Sequence, residues 1–300
     1  MGTRQGPVKS TKKVRRRILD GVMVLLLLAG IIGLSYPFFK DALNRSLNQQ
    51  IVNYYQRQSD QAHAAEMAKR RTAIKKANAK LAKKGNNPGK DTLAQQNTTK
   101  LPPRKLSYYE QNTVGTLYIP SIKASMPVFG KTNELLLQQG ATLLPGTSKI
   151  GGGKDTHAAI SAHRGLLEAK LFSDLPKVKK GQLFYIHTNG DKLAYQVFKK
   201  QVITPDQVEQ LQIQPQKDLV TLMTCTPYMV NSHRLLVFGR RVPYPKAASR
   251  QADKLDVQQA SGLLQWIAGI ILGVMALIVG WAIWLRRKRQ RQSQAKTNVK

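Results

Sequence analysis

LFYIHTNGDKLAYQVF, residues 183–198, reads as two β-strands and the turn between them. A two-residue turn that follows the twist of its strands needs positive φ at both central positions, which Asn189 tolerates and Gly190 adopts freely. β-Branched and aromatic residues fill the runs on either side, as in strands lying on a buried surface. The same texture extends in both directions: VGTLYI (114–119), MPVF (126–129), HAAISAH (157–163), LVTLMT (219–224) and RLLVFG (234–239) are apolar or alternating runs separated by turn residues. These short runs predict one all-β domain, a closed barrel or a sandwich. No internal repeat is evident.

Outside this region the pattern changes. The chain has 300 residues and a net charge of +32, from 48 Lys and Arg against 16 Asp and Glu. Such an excess points to nucleic acid or to an anionic surface. Its location decides between them. KSTKKVRRR precedes an apolar run at 18–39, and a second run at 262–285 leads into RRKRQRQ. Each approaches or exceeds the roughly 20 apolar residues that cross a bilayer as a helix. The positive-inside rule then places the basic tails, 1–17 and 286–300, in the cytoplasm and residues 40–261 outside. Nucleic acid is excluded as partner on this reading, which predicts a two-pass membrane protein with an extracytoplasmic domain.

Residues 41–84 read as helix, with Leu43, Leu47, Ile51 and Tyr55 at every fourth position and Asp41 as N-cap. The Ala- and Lys-rich part has a thin apolar stripe and reads as a solvated stalk. Polar, Pro-containing residues 86–106 and the stretch 245–261 read as linkers.

GGGKD (151–155) fails as a phosphate loop, because Asp155 follows Lys154 and Ser148 stands where the first Gly is required. None of the five histidines, His63, His157, His163, His187 and His233, shares a ligand spacing with another, so no metal site is expected. His63 falls on the stalk and His187 beside the hairpin turn, and both read as surface residues.

Cys225 is the only cysteine, so no intramolecular disulfide forms. It ends the run LVTLMT just before Thr226–Pro227, where a strand leaves its sheet. A thiol nucleophile needs a thiolate, an imidazole to stabilise it and protonate a leaving amine, and donors for an oxyanion. Arg234 lies at the start of the next strand, and antiparallel pairing would bring its guanidinium beside the thiol. From the residues alone a buried, inert Cys225 is the leading reading. His233 is as good a base as His163. Spacing does not settle either point.

TLMTC (221–225) resembles the Thr-Leu-x-Thr-Cys signature of the sortases, membrane-anchored cysteine transpeptidases of Gram-positive bacteria. SAHRGL (161–166), IPSIKASMPVFG (119–130) and GATLLPGTS (140–148) are similar to family segments, and Arg234 falls where the family places its arginine. The resemblance covers roughly residues 113–241 and implies a closed eight-stranded β-barrel. It also implies Cys225 as nucleophile, His163 as acid/base and Arg234 as substrate and oxyanion stabiliser, with no cofactor and no metal. Arg164 is left out, since strand alternation would turn it to the opposite face from His163.

TCTPYMVNSHRLLV (224–237) and the C-terminal anchor with its basic tail are similar to class C, the pilin polymerases. Many of these carry an Asp-Pro-aromatic lid, but residues 40–112 contain no Asp-Pro pair. The resulting expectation is a catalytic domain at 107–244, flanked by transmembrane helices and a helical stalk (40–106). It would act on surface proteins or pilins with a Leu-Pro-x-Thr-Gly-like sorting signal. The acceptor is an amine, a pilin lysine or a peptidoglycan precursor. A non-catalytic wall-binding surface protein is the reading from another class.

Overall fold

The computed structural model describes residues 10–62, 64–88, 105–166 and 169–297. Helix α1 (Ser10–Gln61) is followed by α2 (Ala64–Lys84), and α3 (Leu106–Asn112) leads into the sheet. Strands β1 (Thr113–Ile119) and β2 (Ala124–Phe129) precede the short α4 (Glu134–Gln139). Then come β3 (Ala141–Leu143), β4 (Thr156–Ser161), β5 (Leu183–Thr188), β6 (Asp191–Ile203), β7 (Asp218–Thr226) and β8 (His233–Val242). Helix α5 (Lys246–Thr297) completes the order. The eight strands close into a barrel in the order β1-β2-β3-β4-β7-β8-β6-β5. The pairs β2–β3 and β4–β7 are parallel, and the rest are antiparallel.

The β5–β6 hairpin forms where its sequence requires it. Thr188 pairs with Asp191 across a two-residue turn in which Asn189 and Gly190 have φ of 48° and 77°. Strand alternation divides the buried side chains between two layers. Leu117, Ile119, Val128, Ile160, Phe184, Ile186, Val220, Leu222 and Val237 share the main core inside the barrel. A second layer, on the outer face of β7 and β8, joins Met223, Cys225, Leu236 and Phe238 to Ile203 at the end of β6 and to Leu137, Leu144 and Leu211 from α4 and the connecting segments. Burial of one such Leu or Phe contributes about 1.5–3 kcal/mol.

The helical stalk expected at 40–106 is instead packed on the barrel through residue 86. Ile51 and Val52 of α1 are buried, and Tyr55 donates its hydroxyl to the Val114 carbonyl at 2.9 Å. Asn78 of α2 exchanges two hydrogen bonds with the Lys149 backbone, at 2.9 and 2.8 Å. Arg71 pairs with Asp191 at 3.2 Å, and Asn86 donates to the Leu211 carbonyl at 3.0 Å. The attachment is apolar along α1, where Ile51 and Tyr55 of the periodic stripe are buried, and largely polar along α2, where a stripe gives no signal. Asp41 is not an N-cap, because α1 runs continuously through it; its carboxylate binds Arg45 at 2.7 Å.

The stretch 245–261 is likewise helix from Lys246 onward. Ala248, Ala252 and Leu255 of α5 pack on Tyr118, Tyr185 and Ala194. Asp256 accepts from Ser125 at 2.8 Å and from Tyr118 at 3.1 Å, which ties α5 to β1 and β2. Burial holds the Asp256 carboxyl above the usual carboxylate range, against these hydrogen bonds, which lower it.

Both apolar runs lie within 52-residue helices. Among the described residues, no helix is long and apolar enough to cross a membrane. Residues 1–9, 89–104 and 298–300, which include parts of both basic tails and most of the 86–106 linker, lie outside the described residues, as does His63.

Candidate active site

Cys225 is the penultimate residue of β7, directly opposite Arg234 in the antiparallel ladder with β8. Alternation puts both side chains on the outer face, in the second apolar layer, where they are 3% exposed. The guanidinium is fixed by the chain just before it: Nη1 donates to the carbonyls of Asn231, in the β7–β8 loop, at 2.8 Å and of His233 at 3.0 Å. A buried cation within reach of a thiol favours the thiolate.

His163 arrives from the other side of β7. Strands β4 and β7 run parallel, and their last pair, Ser161 with Met223, ends two residues short of both His163 and Cys225. Two further bonds continue the alignment beyond the ladder: Ala162 N–H donates to the Met223 carbonyl at 3.2 Å, and Thr224 Oγ1 to the Ala162 carbonyl at 2.8 Å. Phe172 N–H donates to the His163 carbonyl at 3.1 Å, which holds the segment from behind. The histidine is 4% exposed, and its Nε2 lies 3.5 Å from Oε1 of Glu134 at the start of α4. The structure therefore gathers Cys225, His163 and Arg234 at one end of three adjacent strands.

The competing histidines differ from His163 in their surroundings. His157 is fully buried, with Nε2 against Thr221 Oγ1 at 2.7 Å and Nδ1 against the Gln212 carbonyl at 2.9 Å. Burial holds its imidazole below the usual range, opposed by the bond to Gln212. His233 is exposed, pairs with Thr226 in the ladder, and meets Ser232 Oγ at 2.8 Å. His187 is half-buried rather than a surface residue; its Nε2 lies 2.9 Å from the Tyr244 hydroxyl, and burial, then Lys192, bring its pKa down to about 4.

Two residues of the site were missed in the sequence. Arg164 was set aside on strand alternation, but β4 ends at Ser161 and alternation stops with it. Its Nη1 donates to Thr226 Oγ1 at 3.0 Å, and its guanidinium lies 5.7 Å from the Tyr228 ring centroid. Gly165 follows with φ of 87°, and a Cβ there would come within 3.1 Å of Tyr228. Glu134 lies 29 residues before its histidine and follows an Asn133 N-cap that accepts from Leu136 N–H at 3.0 Å. The cap was a readable signal of a helix start, but nothing local reveals what the carboxylate faces. Tyr228, Met229 and Val230, in the loop between Cys225 and Arg234, expose half or more of their surface. Among the described residues no group of three His, Cys, Asp or Glu is placed to hold a metal ion.

A sortase-domain family model matches residues 117–242. Among solved structures, sortase C1 of pilus island 1 of group B Streptococcus aligns with a TM-score of 0.59 and 38% identity, over 66% of this chain and 94% of that one. Sortase C of Streptococcus pneumoniae aligns with a TM-score of 0.55 and 39% identity, over 65% and 97%. Curated relatives include sortase A of Bacillus anthracis, 31% identical over 130 residues, and sortase A of Streptococcus agalactiae, 31% over 116. The matched region covers 43% and 38% of this chain, and 60% and 47% of those relatives.

Proposed function

Because this chain belongs to the sortase family of cysteine transpeptidases, we propose that it cuts a Leu-Pro-x-Thr-Gly-like sorting signal between Thr and Gly and joins the acyl part to a pilin lysine. The observation that carries the reading is the pairing of Cys225 with Arg234 across β7 and β8, with His163 at the adjoining end of β4. In the proposed reaction the Cys225 thiolate adds to the Thr carbonyl and the negative charge on oxygen is met by Arg234. The C–N bond breaks as the His163 imidazolium gives its proton to the departing Gly amine, which leaves a thioester on Cys225. The acceptor amine then attacks the thioester, loses a proton to His163, and expels the thiolate. Tyr228, Met229 and Val230 offer an exposed apolar wall for the signal's Leu and Pro.

The pilin acceptor is supported by the solved relatives, one assigned to a pilus island and one described in terms of pilin substrate specificity. We further propose that residues 18–39 and 262–285 anchor the chain at both ends, with the barrel outside the cell. Supporting this, Leu25, Leu26 and Leu27 of α1 are more than half exposed, as is Leu272 of α5. No other part of the described chain covers them, and basic residues flank both runs. The test is transfer by the full chain in detergent, offered a lysine-bearing pilin and a peptidoglycan-type amine together. An amide to the pilin lysine is expected; product with the peptidoglycan-type amine alone would reassign the acceptor.

A further inference from the structure

We infer that Glu134 is a positioning residue for His163, so that the acid/base of this site works with a carboxylate behind it. This rests on the acid/base role proposed for His163. The observation is the 3.5 Å approach of Glu134 Oε1 to His163 Nε2, between side chains that are 21% and 5% exposed. Glu134 is itself held in place: Asn133 caps its helix, and Gln138 Nε2 donates to the same Oε1 at 3.1 Å. The nearby His163 imidazole is the main cause holding the Glu134 carboxyl below its usual range, more than offsetting its burial. An ionised carboxylate accepts and does not donate. It therefore fixes the neutral imidazole as the Nε2–H tautomer and leaves Nδ1 to take and give the proton.

The consequences for the reaction balance simply. Nδ1–H protonates the leaving amine as the C–N bond breaks, and Nδ1 later accepts a proton from the incoming amine. Glu134 exchanges none; it stabilises the imidazolium that is present before the first event and again after the second. Among the described residues, the other ionisable groups buried at this end of the barrel are Cys225 on β7 and Arg234 on β8, with half-buried Arg164 on the histidine's own segment. Arg234 and Arg164 are cations that oppose an imidazolium. Among the described residues, Glu134 is the acidic side chain that faces it.

The test compares Glu134→Gln with Glu134→Ala in the full chain. Gln keeps the shape and the contact with Gln138 but removes the charge. The expected result is a loss of about tenfold in kcat for acyl-enzyme formation in both variants, with KM unchanged. The limb of the pH–rate profile that belongs to the imidazole should move to lower pH, since a carboxylate favours the charged ring. Alkylation of Cys225 by a small thiol reagent, which needs no sorting signal, should shift its own profile in both variants as the neighbouring imidazolium is lost. A Gln variant with wild-type rate and unshifted profiles, beside a damaged Ala variant, would make Glu134 a structural support only and overturn the inference. Absence of transpeptidation in the unmodified chain would instead remove the proposed function, and the alkylation profiles would still decide the role of Glu134.

Discussion

A thiol that is 3% exposed on the outer face of a strand needs a reason to ionise and a fixed partner for the proton it helps to move. Arg234, directly across the ladder, supplies a cation that cannot be titrated away near neutral pH. His163 is distinguished from its rivals by surroundings and not by spacing. His157 has both ring nitrogens engaged in the core, and His233 stands in solvent beside Ser232. A general acid/base contributes about 10²–10⁴-fold, so His163→Ala should lose at least ~100-fold in acyl-enzyme formation. His233→Ala should stay near the unaltered rate. Single-turnover measurement with a sorting-signal peptide checks both; an inactive His233→Ala beside an active His163→Ala would reverse the assignment.

The barrel strands other than β3 were legible because each carries its own signal, from the Asn189–Gly190 turn to the apolar runs of β7 and β8, whereas the three residues of β3 are too few to show one. The docking of the helices was not. Residues 41–84 dock partly through Ile51 and Tyr55 of the periodic stripe, and partly through Asn78 and Arg71, whose polar contacts leave no periodic trace in the sequence. At 245–261 the small residues Ala248 and Ala252 let α5 lie close against Tyr118 and Tyr185, and small residues read as linker when no partner is in view. Cys225 and Arg234 were readable as a pair because β7 and β8 are adjacent in sequence. Glu134 and Arg164 were not, since the first acts across 29 residues and the second depends on where β4 stops. Tyr109 of α3 tests the packing of these added elements. It is 8% exposed against Ile51, Phe129 and Leu136, which makes it part of the barrel's cover and not a lid over Cys225. Tyr109→Ala should therefore destabilise the fold by about 3 kcal/mol, without accelerating alkylation of Cys225. Tenfold faster alkylation in a variant that melts normally would identify a lid instead.

For the molecule as a whole, buried ionisable groups set how stability follows pH. An imidazole in the unfolded chain titrates near 6.5, whereas His187 in the fold is held at about 4 and His157 is also held down. Below pH 6.5 the unfolded chain takes up protons that the folded one refuses, so stability present at neutral pH is lost as pH falls towards 4. Asp218 and Asp256 act with the opposite sign: burial raises both above 3.8, and their ionisation costs stability as pH rises past that value. The histidines dominate the upper part of the window. Thermal unfolding of the full chain should shift several degrees lower between pH 7 and 5, and less so in His187→Gln; equal shifts in the two would remove His187 as a cause. The central claim is that Cys225 carries the substrate, and it has a direct measurement. The full chain is incubated in detergent with a Leu-Pro-x-Thr-Gly peptide, quenched in acid and digested, and the fragment containing Cys225 is weighed. The expected result is a thioester on Cys225 with the mass of the peptide cut after Thr, released by hydroxylamine and absent from Cys225→Ala. An unmodified Cys225 that still reacts with a small thiol reagent under the same conditions would contradict it.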